Sequence, residues 1–258
     1  MTAKKSVFEK IKIPAKKIFA VASGKGGVGK TTVAVNLALA LAGRDQKVGI
    51  LDADIYGPNV PLMLGIQDQS ITMEEDQLVP MNRHGLDIIS VAFITRPEQA
   101  LIWRGPLANK LIEQFLRDVR WQQMDCLIID LPPGTGDVPL SIVQKVELSA
   151  GLIVTTPQKA ALADVRKMIN MFSVTKTPIL GIVENMTHLI CPECGKTIDL
   201  YPGSETGKGQ KKLGHPVVAG FPFLPELNRP GEKLFHSIFP DSPVVKEYRQ
   251  LADRLMKF

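Results

Sequence analysis

Residues 24–31 read Gly-Lys-Gly-Gly-Val-Gly-Lys-Thr, a run built for phosphate. The spacing is G-x-x-x-x-G-K-[ST], and each residue type has a chemical reason. Gly24, Gly26, Gly27 and Gly29 let backbone N–H groups turn toward phosphate oxygens with no Cβ in the way. A helix starting at the end of the run adds its dipole. Lys30 supplies a charge to the outer phosphates, and the Thr31 hydroxyl is placed to ligate magnesium. Val28 and Thr32 complete the candidate nucleotide contacts of this stretch. The same residues also hold G-x-G-x-x-G at Gly24, Gly26 and Gly29, with Asp52 about one strand later, as a dinucleotide site would. Lys30-Thr31 would serve no purpose at a pyrophosphate-only site, so the magnesium-nucleotide reading is preferred over an oxidoreductase.

Acids stand where that reading needs them. Asp52 and Asp54 close one apolar run, in Leu51-Asp-Ala-Asp-Ile-Tyr-Gly-Pro58. Asp130 closes another, in Leu127-Ile-Ile-Asp-Leu-Pro-Pro-Gly-Thr-Gly-Asp137. A carboxylate after an apolar strand sits at a sheet edge beside the phosphates. Asp130 is the candidate to hold magnesium, directly or through its water, and Asp54 to orient an attacking water. Capping a following turn or helix is the plainer role for such acids, and for Asp137 the two roles are evenly balanced.

Cys191-Pro-Glu-Cys194, followed by Gly195, is a metal-knuckle pattern. One CxxC offers two thiolates, while a tetrahedral zinc or an iron–sulfur cluster needs four ligands. His188 and His215 would complete zinc within one chain; a symmetric dimer would instead bring two pairs together on its axis. Cys126 opens an apolar run and is expected to be a small buried hydrophobe. His84 and His236 fit no pattern.

Positioning these groups calls for a predominantly parallel sheet flanked by helices, an α/β fold. Short apolar runs predict strands at Ile18–Ala22, Val48–Asp52, Leu86–Val91, Cys126–Asp130, Leu152–Thr156, Ile179–Glu184 and Val217–Phe221. Helical spacing predicts helices over Thr31–Ala42, Pro106–Arg120, Ala161–Phe172 and Ser242–Lys257. Gly/Pro-rich loops follow several strands, and in open parallel sheets that edge binds ligands. The last helix is amphipathic, but Glu247 and Asp253 dilute its basic face, so packing on the core is preferred to a membrane surface.

The 258 residues carry a net charge of +5, and the leader alone accounts for it: residues 1–17 hold six lysines against Glu9. With the remainder balanced, composition gives no case for nucleic-acid binding. The division expected is a basic leader over 1–17 and a single domain over 18–258, with a CxxC loop at 186–209. No apolar run is long enough for a membrane span, no signal peptide is evident, and three cysteines fit a reducing, cytoplasmic setting.

With these motifs in hand, Ser23-Gly-Lys-Gly-Gly-Val-Gly-Lys-Thr-Thr32 resembles the deviant Walker A of the MinD/ParA P-loop NTPases. More narrowly, the chain resembles the Mrp/ApbC-type iron–sulfur carrier ATPases. The resemblance rests on Leu51–Pro61, Trp103–Pro106, Asp130–Asp137, Thr155–Gln158, Val183–Met186 and Cys191–Cys194, in order. It implies a homodimeric, magnesium-dependent ATPase whose Lys25 reaches the partner's ATP and whose Asn185 contacts adenine. It further implies a [4Fe-4S] cluster held by Cys191 and Cys194 and passed to apo-proteins. The rival within the same fold is a positioning switch that binds membrane or partner protein and has no use for paired thiols. The chain departs from the family in its closing loops, Phe221–Gly231 and Phe239–Pro243, and its leader carries no cysteine motif.

Overall fold

The computed structural model describes residues 10–94, 105–158, 160–191, 193–202, 214–228 and 234–258. In chain order the elements begin with β1 (Ala15–Ala22), α1 (Lys30–Ala42), β2 (Val48–Asp52) and the single turn α2 (Val60–Met63). Three short strands follow, β3 (Thr72–Glu74), β4 (Gln77–Val79) and β5 (Met81–Arg83), then β6 (Leu86–Ser90), α3 (Gly105–Arg117) and β7 (Met124–Asp130). The second half runs α4 (Asp137–Lys145), β8 (Ala150–Thr155), α5 (Ala161–Val174), β9 (Ile179–Glu184), β10 (His188–Ile190) and β11 (Thr197–Asp199). It ends with β12 (Val217–Gly220), α6 (Phe235–Ile238) and α7 (Pro243–Lys257).

The strands are apolar throughout because helices cover both faces of their sheet; every residue of β2 and β8 is buried. The sheet has eight strands in the order β12-β9-β8-β1-β7-β2-β6-β5, parallel except where β5 meets β6. One face packs on α1 and α7, the other on α3, α4 and α5. Helix α1 is buried nearly all round, from Thr32 to Leu41, because α7 lies against its outer side. The apolar stripe of α7, including Tyr248, Leu251 and Leu255, is therefore spent on the core. Among the described residues no helix is long and apolar enough to cross a membrane.

Three features differ from the sequence reading. The fold takes in residues 10–17, which the lysine count assigned to a leader: Ile11 and Ile13 are buried, and Ile11 bridges to Val146 beside α4. Lys10 and Lys12 alternate there with Ile11 and Ile13, a period of two that the charge concealed. The segment 186–209 is no plain loop either, since β10 and β11 pair into a hairpin with the cysteines at its turn. Helix α4 went unread because Pro139 and the glycines before it look like loop; proline is tolerated in a first helical turn.

Candidate nucleotide and cluster site

The central strand β1 runs straight into the glycine loop. Its neighbours bring the acids to the same edge: Val21 and Asp52 are both register partners of Asp130. Gly27 and Gly29 adopt left-handed φ angles of 77° and 81°, and Gly29 caps α1, accepting from Val33 N at 3.0 Å. A Cβ on Gly29 would collide with the Asn185 amide. Ser23 O accepts from Gly134 N at 2.7 Å, which ties the loop after β7 to the start of the phosphate loop.

Lys30 and Asp130 form the buried centre. Lys30 Nζ donates to Asp130 Oδ1 at 2.7 Å and lies 3.7 Å from Asp54 Oδ2. Thr31 Oγ1 donates to the other oxygen, Asp130 Oδ2, at 2.7 Å. The lysine and the hydroxyl that close the glycine run thus share one carboxylate. A cavity of about 330 Å³ opens over them, walled by Gly26, Gly27, Lys30, Thr31, Asp54 and Pro133 among others. Gly24 does not line it. It abuts Asp164 of α5: a Cβ there would collide with Asp164 Cβ and sit 2.6 Å from Asp164 O. The Val28 side chain is in the core, so only its backbone faces the loop.

Burial raises the Asp54 carboxyl above its ordinary range, against the pull of Lys30. Asp52 is wholly buried and is pushed up to about 7, first by burial and then by the Asp130 charge. Its oxygens accept from Asp54 N at 3.2 Å, Val60 N at 3.2 Å and Ser90 Oγ at 3.0 Å. Asp52 therefore pins the loop that carries Asp54, and its partner Ser90 escaped the sequence reading. The signal was available, since Ser90 is the polar residue closing β6. Asp137 opens α4 and is exposed, as a helix-end acid would be.

Asn185 is buried and braces the phosphate loop: its Nδ2 donates to Val28 O at 2.9 Å, and its N to Thr155 O at 2.8 Å. Lys25 turns away from the cavity, and its Nζ donates to Gln158 Oε1 at 2.7 Å. Gln158 was visible only as the last residue of a family motif. Trp103 and Arg104 of another such motif, Trp103–Pro106, lie outside the described residues.

At the hairpin turn, Gly195 N donates to Cys191 O at 2.9 Å, and Gly195 takes a φ of 69°. Cys194 is exposed and Cys191 half-buried. Backbone N–H groups of Cys194 and Glu193, then the Cys194 thiol, draw the Cys191 thiol below its ordinary range and favour the metal-binding thiolate. The alternative of zinc completed within one chain by His188 and His215 finds no support. Among the described residues no group of three or more His, Cys, Asp or Glu side chains converges on a metal position. His188 instead meets Thr187 Oγ1 through Nδ1 at 2.9 Å. Cys126 is fully buried, and burial pushes its thiol up to about 12.

Residues 14–256 match the family model described as ParA, NUBPL iron-transfer P-loop NTPase. The iron-sulfur cluster carrier protein of Aquifex aeolicus is 41% identical over 251 residues, covering 95% of this chain and 69% of that protein. The carrier of Escherichia coli strain K12 is 42% identical over 243 residues, 93% of this chain and 66% of its own length. The chain thus spans about two thirds of these relatives. The iron-sulfur cluster transfer protein NUBPL of Dictyostelium discoideum is 38% identical over 246 residues, with 94% and 76% covered. Among solved structures, the Archaeoglobus fulgidus nucleotide-binding protein in complex with ADP superposes with a TM-score of 0.75 at 35% identity, covering 91% of this chain and 92% of that one. The cell division ATPase MinD of Pyrococcus furiosus, at 24% identity and a TM-score of 0.65, shares the fold, covering 94% of this chain and 99% of that one. A phosphate loop at the end of a central parallel strand, two acids beside it and a family match over nearly the whole chain agree: this chain belongs to the ParA family of NUBPL-type iron-transfer P-loop NTPases.

Proposed function

We propose that the chain is an ATP-hydrolysing carrier of iron–sulfur clusters, working in the cytoplasm as a homodimer that delivers a [4Fe-4S] cluster to apo-proteins. One observation carries this: the same chain holds a buried Lys30–Thr31–Asp130 cluster at the phosphate loop and, at the turn of a separate surface hairpin, a cysteine pair in which Cys191 favours its thiolate. A positioning switch of the same fold would leave the second feature without a use.

The residues present suit magnesium, a hard cation that takes oxygen ligands and keeps several waters. Thr31 Oγ1 and the Asp130 carboxylate would hold it, and it would neutralise charge between the outer phosphates. With nucleotide bound, Lys30 would pair with a phosphate oxygen in place of Asp130, whose carboxylate would then be available to hold the metal. The backbone from Gly26 to Thr32 cradles the phosphates, and Asp54, held by Asp52, orients the attacking water. Asn185 keeps its amide oxygen for adenine while its Nδ2 steadies Val28. Lys25, released from Gln158, reaches the nucleotide of a partner chain.

The cluster is cargo. Two thiolates per chain fall short of four, so Cys191 and Cys194 from both chains of a dimer would share it. Anaerobic reconstitution should give about four irons per dimer, with matching sulfide. Cys191→Ser or Cys194→Ser should abolish the cluster while ATP binding persists, because the hairpin and the phosphate loop are separate elements. Cys126→Ala should leave iron content unchanged. A cluster that survives loss of Cys194 would overturn the assignment.

A further inference from the structure

Beside the cysteine turn the surface is cut by an apolar groove of about 590 Å³. Its walls include Ile190 of β10, Leu224, Phe235 and Phe239 around α6, and Val244 at the start of α7. Ile190 and Phe239 remain 45% and 46% exposed, large apolar side chains that folding did not use. Such a patch marks an interaction surface rather than idle exterior. Two carboxylates interrupt the apolar wall, Glu226 and Glu247. Both are half-buried, and among the described residues neither has an ion-pair partner. A half-buried carboxylate in apolar surroundings calls for a cation to complete it. Ile190, in the wall, is bonded directly to Cys191.

We propose that this groove docks a short segment of the recipient apo-protein, one with apolar side chains and at least one Lys or Arg to meet Glu226 and Glu247. The proposal rests on the carrier reading above and names the surface through which a carrier finds its client. Cluster delivery is a ligand exchange at iron. Each recipient thiol loses its proton and bonds iron as one of the carrier's cysteine sulfurs leaves and takes up a proton, with no change in electron count. The exchange requires the recipient's cysteines to be held beside Cys191 and Cys194. A groove that starts one residue from Cys191 does that by geometry. A membrane surface is the poorer occupant, because the site is concave and its carboxylates repel anionic headgroups.

The test uses the cluster-loaded full chain and a fluorescein-labelled apo-ferredoxin with one four-cysteine [4Fe-4S] site, with binding read by anisotropy. Phe239→Asp and Glu247→Lys should each weaken binding about tenfold or more, as loss of an apolar anchor or of a complementary charge does. Iron content, dimer mass and ATP turnover should stay at the unmutated level. Added salt should weaken the unmutated complex more than the Glu247→Lys complex. Unchanged affinity in both variants, or no binding by a fully loaded carrier, would overturn the groove. So would a variant that loses its dimer, which gives the groove to a second copy, or its ATP affinity, which gives it to the base. A chain that never holds a cluster would defeat the carrier reading instead.

Discussion

Asp52 shows how one buried residue sets conditions for a whole site. It neither pairs with Lys30 nor lines the cavity itself, yet its two oxygens hold Asp54, Val60 and Ser90. Its carboxyl stands near 7 against an ordinary 3.8, raised by burial and by Asp130. The folded chain therefore keeps a proton that the unfolded chain releases between about pH 4 and about pH 7. Stability falls as pH rises through that window, and the full cost is felt above the raised value. Asp52→Asn keeps the shape and removes the charge. In nucleotide-free protein the variant should gain on the unmutated chain by about 1–4 kcal/mol between about pH 5 and about pH 8, read from urea midpoints. A stability difference that ignores pH would show that Asp52 is charged throughout.

At the scale of elements, the phosphate loop is two structures in one sequence. Gly24 is small because α5 passes over it: the Asp164 carbonyl carbon would lie 2.7 Å from a Cβ there. Gly26 has nothing within 4 Å and no left-handed φ, so nothing in the fold calls for its smallness, and we propose that the incoming phosphate does. The two glycines should separate in experiment. Gly24→Ala should lower stability by about 1–3 kcal/mol, the usual cost of overpacking. Gly26→Ala should unfold at nearly the same temperature as the unmutated chain but bind ATP roughly tenfold more weakly, as loss of a charge-assisted hydrogen bond would give. Calorimetry and nucleotide titration on both variants check this; a Gly26→Ala variant that binds ATP normally would remove that residue from the cradle.

At the scale of the molecule, Lys25 is the residue we propose to act across a dimer. Here it is engaged by Gln158 of its own chain. Acting across a dimer, Lys25→Ala should lose turnover far more than ATP affinity. Mixed in equal amounts with Asp54→Ala, it should recover about a quarter of the unmutated turnover. Half the dimers then pair the two variants, and each such dimer keeps one intact site of two. No recovery on mixing, with binding and turnover lost together, would make Lys25 a local phosphate contact.

The amino-acid sequence by itself determined the sheet, the phosphate loop and the cysteine pair. Residues 24–31, the acids closing β2 and β7, and Cys191-Pro-Glu-Cys194 are local patterns, and local chemistry explains most of their residues. The seven main strands were legible because a doubly covered parallel strand is an apolar run with punctuated ends. Three-dimensional neighbours decided the rest. That Asp130 serves Lys30 and Thr31 at once, that Asn185 braces Val28 and that Gly24 yields to Asp164 join residues about a hundred or more positions apart. The same holds for Ile11, whose lysine neighbours read as a solvated leader until its contact with Val146 drew the segment into the core. Periodicity and spacing report what a chain does to itself within a few turns; only packing reveals which distant groups share a proton, a carboxylate or a wall.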